Sequence, residues 1–170
     1  MIKVHEESLI EELHLDLDGL FADFDLRVTE LSGGRHPKHL EKKHLWATIH
    51  RDKQFFANLK LIPGSERLWA AIKDLLPDHK IKFLTGAPAS VASQQQKREW
   101  VAKKFGPQYE TNVVKRRDKQ LWSKPYRVLI DDTEGNLHDW VVKGGHGIHH
   151  DGDFDKTIKA LLEYHDAIKA

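Results

Sequence analysis

The sequence predicts an α/β fold in which a parallel central sheet is covered by helices on both faces. Three observations carry this expectation. Short apolar runs alternate with amphipathic stretches along the chain, the pattern left by strands joined through crossover helices. Brief glycine and proline punctuation separates them, at Pro63-Gly64, Gly86-Ala87-Pro88, Gly106-Pro107 and Gly144-Gly145. Three of the apolar runs also end directly in polar residues: Asp16 and Asp18, then Thr85, then Asp131 and Asp132. In open parallel sheets ligands bind beyond the carboxyl ends of the strands, so that placement is where chemistry is expected.

Taken in order, residues 13–17 read as a strand running into acids. Residues 24–58 interrupt the alternation with helix-like sequence and are expected to form a small helical cap. The rest, residues 1–23 and 59–170, would be the core of a single domain. The loosest stretch, Ser32-Gly33-Gly34-Arg35-His36-Pro37, falls inside that cap. Residues 65–76 are helical, with Leu68, Trp69, Ile72, Leu75 and Leu76 on one face. A strand follows at 81–84, then a helix over 90–105 with Val91, Trp100, Val101 and Phe105 inward. Residues 128–130 form another strand, and 111–114 and 147–149 are weaker strand segments. A helix over 154–168 closes the series, with Ile158, Leu161, Leu162 and Ile168 inward. Asp151-Gly152-Asp153 before it resembles the start of a calcium loop. Lys156 and Leu162 stand where such a loop needs glycine and glutamate, so it reads as a capping turn.

Composition narrows the chemistry. The chain has 170 residues, 27 Lys and Arg against 26 Asp and Glu, and no cysteine. Disulfides, thiolate metal sites and a cysteine nucleophile are thereby excluded. A net charge of +1 does not suit a protein organised around nucleic-acid or membrane electrostatics. Residues 1–12 lack the apolar core of a secretory signal, and no apolar run reaches the length of a membrane span. A cytoplasmic protein is expected.

Two aspartates two apart at a strand end can face one site if the chain turns after the first, and Gly19 permits that turn. Asp16 then serves as nucleophile and Asp18 as proton donor and acceptor. A carboxylate attacking phosphorus splits one displacement into two easier ones through an aspartyl-phosphate. Phosphoryl transfer rests on positioning and charge stabilisation, and Mg²⁺ suits a set of carboxylates, carbonyls and water. Asp132 or Asp131 completes its shell, Lys119 balances charge, and Thr85 hydrogen-bonds a phosphate oxygen. Singly, each has a structural explanation: Asp-Gly is turn chemistry, Asp131-Asp132 can cap a helix, and Thr85-Gly86 can be a strand-end turn. Their order and shared strand-end placement favour function.

These residues carry a resemblance. Asp16-Leu17-Asp18-Gly19, Thr85, Lys119 and Asp131-Asp132 are similar to the four motifs of the haloacid dehalogenase (HAD) superfamily, and Asp18 to the aspartate of its phosphatases. The extended segment Asp16-Leu17-Asp18-Gly19-Leu20-Phe21-Ala22-Asp23-Phe24 resembles the 5'(3')-deoxyribonucleotidases of phage and bacterial type. So do Phe55-Phe56-Ala57-Asn58-Leu59, Trp100-Val101 and Arg117-Asp118-Lys119. The resemblance implies a Rossmann-like three-layer sandwich with a cap inserted after the first strand, and Mg²⁺-dependent hydrolysis of (deoxy)nucleoside monophosphates. It implies Asp16 as nucleophile and metal ligand, Asp18 as acid and base binding the metal through its carbonyl, and Asp132 as metal ligand with Asp131 nearby. It further implies Thr85, Gly86 and Lys119 around the phosphate, with Phe24 stacking on the base and Trp46 contacting substrate. Lys115 and Lys124 stand as alternatives to Lys119.

Rival expectations are a phosphatase for nucleic-acid 3'-phosphate ends or another small ester, and a non-catalytic nucleotide-binding domain. Lys115-Arg116-Arg117 is the feature that would suit a nucleic acid, although a solvated edge explains it better. The resemblance also allows for a homodimer, since relatives of this type often dimerise. His146, His149 and His150 form a group of metal-binding residue types, but structural roles are the commoner outcome. Phe55 and Phe56 divide evenly between cap packing and base contact.

Overall fold

A computed structural model describes residues 8–169. Most of residues 1–12, where a secretory signal was not expected, therefore lies outside the described residues. Among the described residues five strands form one sheet: β1 (Glu12–Leu15), β2 (Ile81–Gly86), β3 (Glu110–Val114), β4 (Arg127–Asp131) and β5 (His146–His149). Their spatial order is β3-β2-β1-β4-β5, and every pairing is parallel. The first strand in sequence is thus the central one. The chain winds outward to β3 and then returns across β1 to β4. That reversal opens a crevice at the carboxyl ends of β1 and β4.

Among the described residues six α-helices accompany the sheet: α1 (Phe24–Leu31), α2 (Lys42–Arg51), α3 (Ser65–Leu75), α4 (Val91–Lys104), α5 (Glu134–Val142) and α6 (Phe154–Lys169). β1 buries Leu13, His14 and Leu15, as expected of a strand covered on both faces. Phe21, Trp69, Phe83, Phe105 and Tyr109 pack ring against ring, with centroids 4.6–6.3 Å apart. Edge and tilted aromatic contacts of this kind add to the stabilisation from burial alone. Trp100 is core, as its helical face implies, and its indole N–H donates to the Leu59 carbonyl at 2.8 Å. Among the described residues no helix is long and apolar enough to cross a membrane.

Both weaker strand segments are strands, and the helices at 65–76, 90–105 and 154–168 form within a residue or two of their expected bounds. The differences have local causes. The first strand stops at Leu15, because the Leu17 carbonyl accepts from the N–H groups of Leu20, Phe21 and Ala22 and wraps the chain into a turn. Val91 is not inward: it is the first residue of α4 and 79% exposed. Leu162 also lies outward, since α6 buries Phe154, Thr157, Leu161 and His165, a stripe that excludes it. Helix α5 carries Gly135, Asn136 and a terminal Val141-Val142, a composition that does not announce a helix.

Residues 24–58 contribute α1, α2 and a short 3-10 turn at Pro37–His39. The two helices pack on each other, and Arg27 of α1 donates to Asp52 after α2 at 2.8 Å. Beyond α2 the chain is tied to α4: Gln96 donates to the Lys53 carbonyl at 2.8 Å and accepts from the Ala57 N–H at 3.3 Å. Phe55 and Phe56 are buried here, in edge-on contact with each other.

Candidate active site

The turn after β1 and the end of β4 meet at Gly19. Its φ of +82° is readily adopted only by glycine, and a Cβ there would collide with the Asp132 carboxylate. This close approach brings together one carboxylate oxygen from each of Asp16, Asp131 and Asp132, all within 4.8 Å of one another. Asp16 and Asp131 are buried, and Asp132 reaches the surface.

Lys119 holds the buried pair. Its ammonium donates to Asp16 at 3.1 Å and to Asp131 at 2.9 Å. Asp131 also accepts from the Thr133 N–H at 2.9 Å and from Asn136 at 3.1 Å. Burial works against the charge on each group, and the outcomes differ. Asp16 is pushed well above the usual carboxylate range by burial, against Lys119 and with the repulsion of Asp131, Asp132 and Asp18. Asp131 is held below it, because Lys119 and its other donors outweigh burial. Asp132 is raised by burial and by Asp131, against hydrogen bonds from Asp16 and Thr133. Burial alone would lower Lys119, but the two carboxylates raise it. Ionised together, three carboxylates outweigh one lysine, and an all-oxygen donor set of this kind suits a hard divalent cation such as Mg²⁺.

A second lysine stands across the site. Lys97 of α4, 4% exposed, donates at 2.9 Å to each of three acceptors: the Asp18 carboxylate, the Thr85 hydroxyl and the Gly86 carbonyl. An ammonium has three N–H bonds, so all are used. The Thr85 hydroxyl accepts from Lys97 and keeps its own proton to donate. The Phe56 ring lies 5.0 Å from the Lys97 nitrogen, within cation–π range. Sequence reasoning missed Lys97. It follows Gln94-Gln95-Gln96 in a helix and reads there as one polar residue among several.

The structure therefore brings together Asp16, Asp18, Thr85, Gly86, Lys119, Asp131 and Asp132. Lys115 and Lys124 lie exposed, so Lys119 is the lysine that reaches the carboxylates. Phe24 borders a cavity of about 540 Å³ that opens beside Asp132 and Gly19 and is also lined by Ile62, His149, His150 and Phe154. Trp46 does not line that cavity; it stands exposed on α2 with its ring 6.2 Å from that of His50.

The three histidines go separate ways. His146 stacks on Tyr164 at 3.9 Å, His149 contacts the Asp132 carbonyl, and His150 pairs with Thr157. Asp151-Gly152-Asp153 is a capping turn, with Asp153 accepting from the Lys156 N–H and Asp151 pairing with the Lys156 ammonium.

No protein-family model and no curated protein matches the sequence. Solved structures do share its architecture. A hydrolase from Streptococcus pneumoniae TIGR4 superposes with a TM-score of 0.51 at 10% identity, over 91% of this chain and 98% of that one. The two share an α/β fold. A HAD-superfamily hydrolase of subfamily IA from Geobacter sulfurreducens PCA gives a TM-score of 0.46 at 12% identity, covering 86% and 90%. L-2-haloacid dehalogenase from Xanthobacter autotrophicus gives 0.49 at 10% identity, covering 89% and 88%. At such identities the likeness is one of fold alone.

Proposed function

We propose that the chain is a Mg²⁺-dependent phosphomonoester hydrolase that acts through an aspartyl-phosphate on Asp16, with (deoxy)nucleoside monophosphates as substrates. The single observation that carries this reading is the placement of Asp16. Its carboxylate sits at the switch point of the sheet, one oxygen 3.1 Å from the Lys119 ammonium and within 4.8 Å of Asp131 and Asp132.

In this reading Asp16 and Asp132, with the Asp18 carbonyl, hold the metal, and Asp131 supports it through Lys119. Bound there, Mg²⁺ supplies positive charge against the phosphate oxygens and keeps Asp16 ionised. One Asp16 oxygen attacks phosphorus as the ester oxygen leaves with a proton from Asp18. The ionised Asp18 then takes a proton from water, whose oxygen attacks the aspartyl-phosphate; phosphate departs and Asp16 is regenerated. Thr85 donates its hydroxyl proton to a phosphate oxygen.

The nucleotide part rests on the cavity beside Asp132, where Phe24 and Phe154 offer aromatic surface to a planar base. Residues 24–58 act as the cap that borders this space. The test is phosphate release across ribo- and deoxyribonucleoside monophosphates with Mg²⁺. Asp16→Asn should lower kcat by about three orders of magnitude or more while leaving the fold intact. Full turnover by that variant would overturn the nucleophile assignment; preference for a sugar phosphate would overturn the substrate class alone.

A further inference from the structure

Residues 24–58 carry seven Lys and Arg against four Asp and Glu, with four histidines, in a chain whose overall charge is +1. The positive charge of the molecule is therefore concentrated in the helical insert, and part of it converges on one pocket. A concavity of about 250 Å³ between α1 and α2 is lined by Ser32, Arg35, Leu40, His44, Thr48 and Arg51, with no carboxylate among them.

The pocket is built from both sides. His44, Thr48 and Arg51 recur at intervals of four and three along α2, which aligns them on one face. Opposite them, Gly33 and Gly34 both take positive φ and turn the chain back. The Ser32 hydroxyl fixes that turn, accepting from the Arg35 N–H at 3.1 Å and donating to the Arg35 carbonyl at 2.8 Å. The Thr48 hydroxyl is spent on the His44 carbonyl at 2.8 Å. The groups left to meet a ligand are two guanidiniums and an imidazole. Among the described residues neither Arg35 nor Arg51 has a carboxylate partner, whereas Arg27 nearby is paired with both Glu30 and Asp52.

We infer that this pocket binds a phosphate group of a ligand, at a place separate from the phosphate site at Asp16. Two arginines lining one pocket with no acidic residue among its walls suit the oxygens of a phosphate, which accept forked N–H pairs. The volume holds one such group or two joined ones, as in a pyrophosphate or adjacent backbone phosphates of a single-stranded nucleic acid. The inference does not depend on the reaction proposed for Asp16.

The experiment titrates the whole protein with inorganic pyrophosphate, and separately with a short single-stranded oligonucleotide, by calorimetry in metal-free buffer. Metal-free buffer removes cation-mediated binding at the carboxylate centre, and the variant separates the pocket's share from that of the exposed Lys115-Arg116-Arg117 edge. The double variant Arg35→Gln/Arg51→Gln should bind at least tenfold more weakly, and raising the salt should weaken the wild type more than the variant. Loss with pyrophosphate identifies a small polyphosphate ligand; loss with the oligonucleotide alone identifies a nucleic-acid backbone. Equal affinity of variant and wild type for both probes overturns the inference. Hydrolysis of p-nitrophenyl phosphate with Mg²⁺ should be unchanged by the double variant, which separates this site from the one at Asp16.

Discussion

Two nearly buried lysines face each other across the site, and their partners differ. Lys119 donates to two carboxylates, Asp16 and Asp131. Lys97 donates to one carboxylate and to two neutral oxygens, those of Thr85 and Gly86. The first arrangement chiefly balances charge: without Lys119, two buried carboxylates stand together unpaired. The second chiefly fixes positions, since one ammonium sets the Asp18 carboxylate, the Thr85 hydroxyl and the loop at Gly86 relative to one another. A site of this design divides electrostatics and geometry between two residues of the same type.

Substitution can break that division. Lys119→Met should abolish turnover and cost about 3–5 kcal/mol of stability, because it leaves buried charge uncompensated; urea unfolding with and without Mg²⁺ measures both. The added metal should return part of the stability and none of the activity. Lys97→Met should lower kcat about 100-fold, the loss expected when the proton-transfer group and phosphate donor are misplaced. Lys97→Arg should restore charge without geometry, since a planar fork cannot reproduce three tetrahedral donors. If Arg rescues fully, Lys97 acts by charge and the contrast with Lys119 collapses.

A pH series sharpens the comparison by separating the fold from the site. His14, fully buried on β1 beside Trp140, has its pKa lowered by burial to about 4, against the hydrogen bond its ring donates to the Glu12 carboxylate. A histidine that is neutral when folded and free to protonate when unfolded contributes full stability above about pH 6.5. That stability is lost as pH falls toward 4, with a total on the order of 3 kcal/mol. Thermal melts from pH 7.5 to 4 should show the decline, and His14→Phe should flatten it if the ring space is kept. The smallest effects belong to the insert. Phe24→Ala should raise KM for nucleotides about fivefold, consistent with loss of one ring contact, and should leave KM for a substrate without a base unchanged. Trp46→Ala should change KM less than Phe24→Ala, because Trp46 lies off the cavity wall.

The positions of the strands along the chain and their parallel pairing were legible because each apolar run is short and bounded, and three of them are followed by chemistry-bearing residues. Asp16, Asp18, Thr85, Lys119, Asp131 and Asp132 were legible for the same reason: they lie at strand ends or just ahead of one. Lys97 was not, because a helix position is assigned inward or outward from its apolar neighbours. Around Lys97 a polar stripe, Gln96 and Lys97, turns inward beside Trp100 and Val101. Helix α5 was missed because Gly135, Asn136 and Val141-Val142 are poor helix formers, and Asn136 serves the site by donating to Asp131. The pocket between α1 and α2 needed two separate segments to meet, which no local pattern records.

The central place of β1 bears on how the chain comes to be folded. Both neighbours of β1 lie far along the sequence, near residue 81 on one side and near residue 128 on the other. A chain made from its amino end exposes this apolar strand long before β4 exists to cover its second edge. Contacts of such high sequence separation slow folding, and unpaired strand edges invite association while they wait. The acids that follow β1 within a few residues, Asp16, Asp18 and Asp23, are well placed to act as gatekeepers during that interval. The carboxylates that would serve catalysis in the finished molecule would first keep its most vulnerable segment in solution.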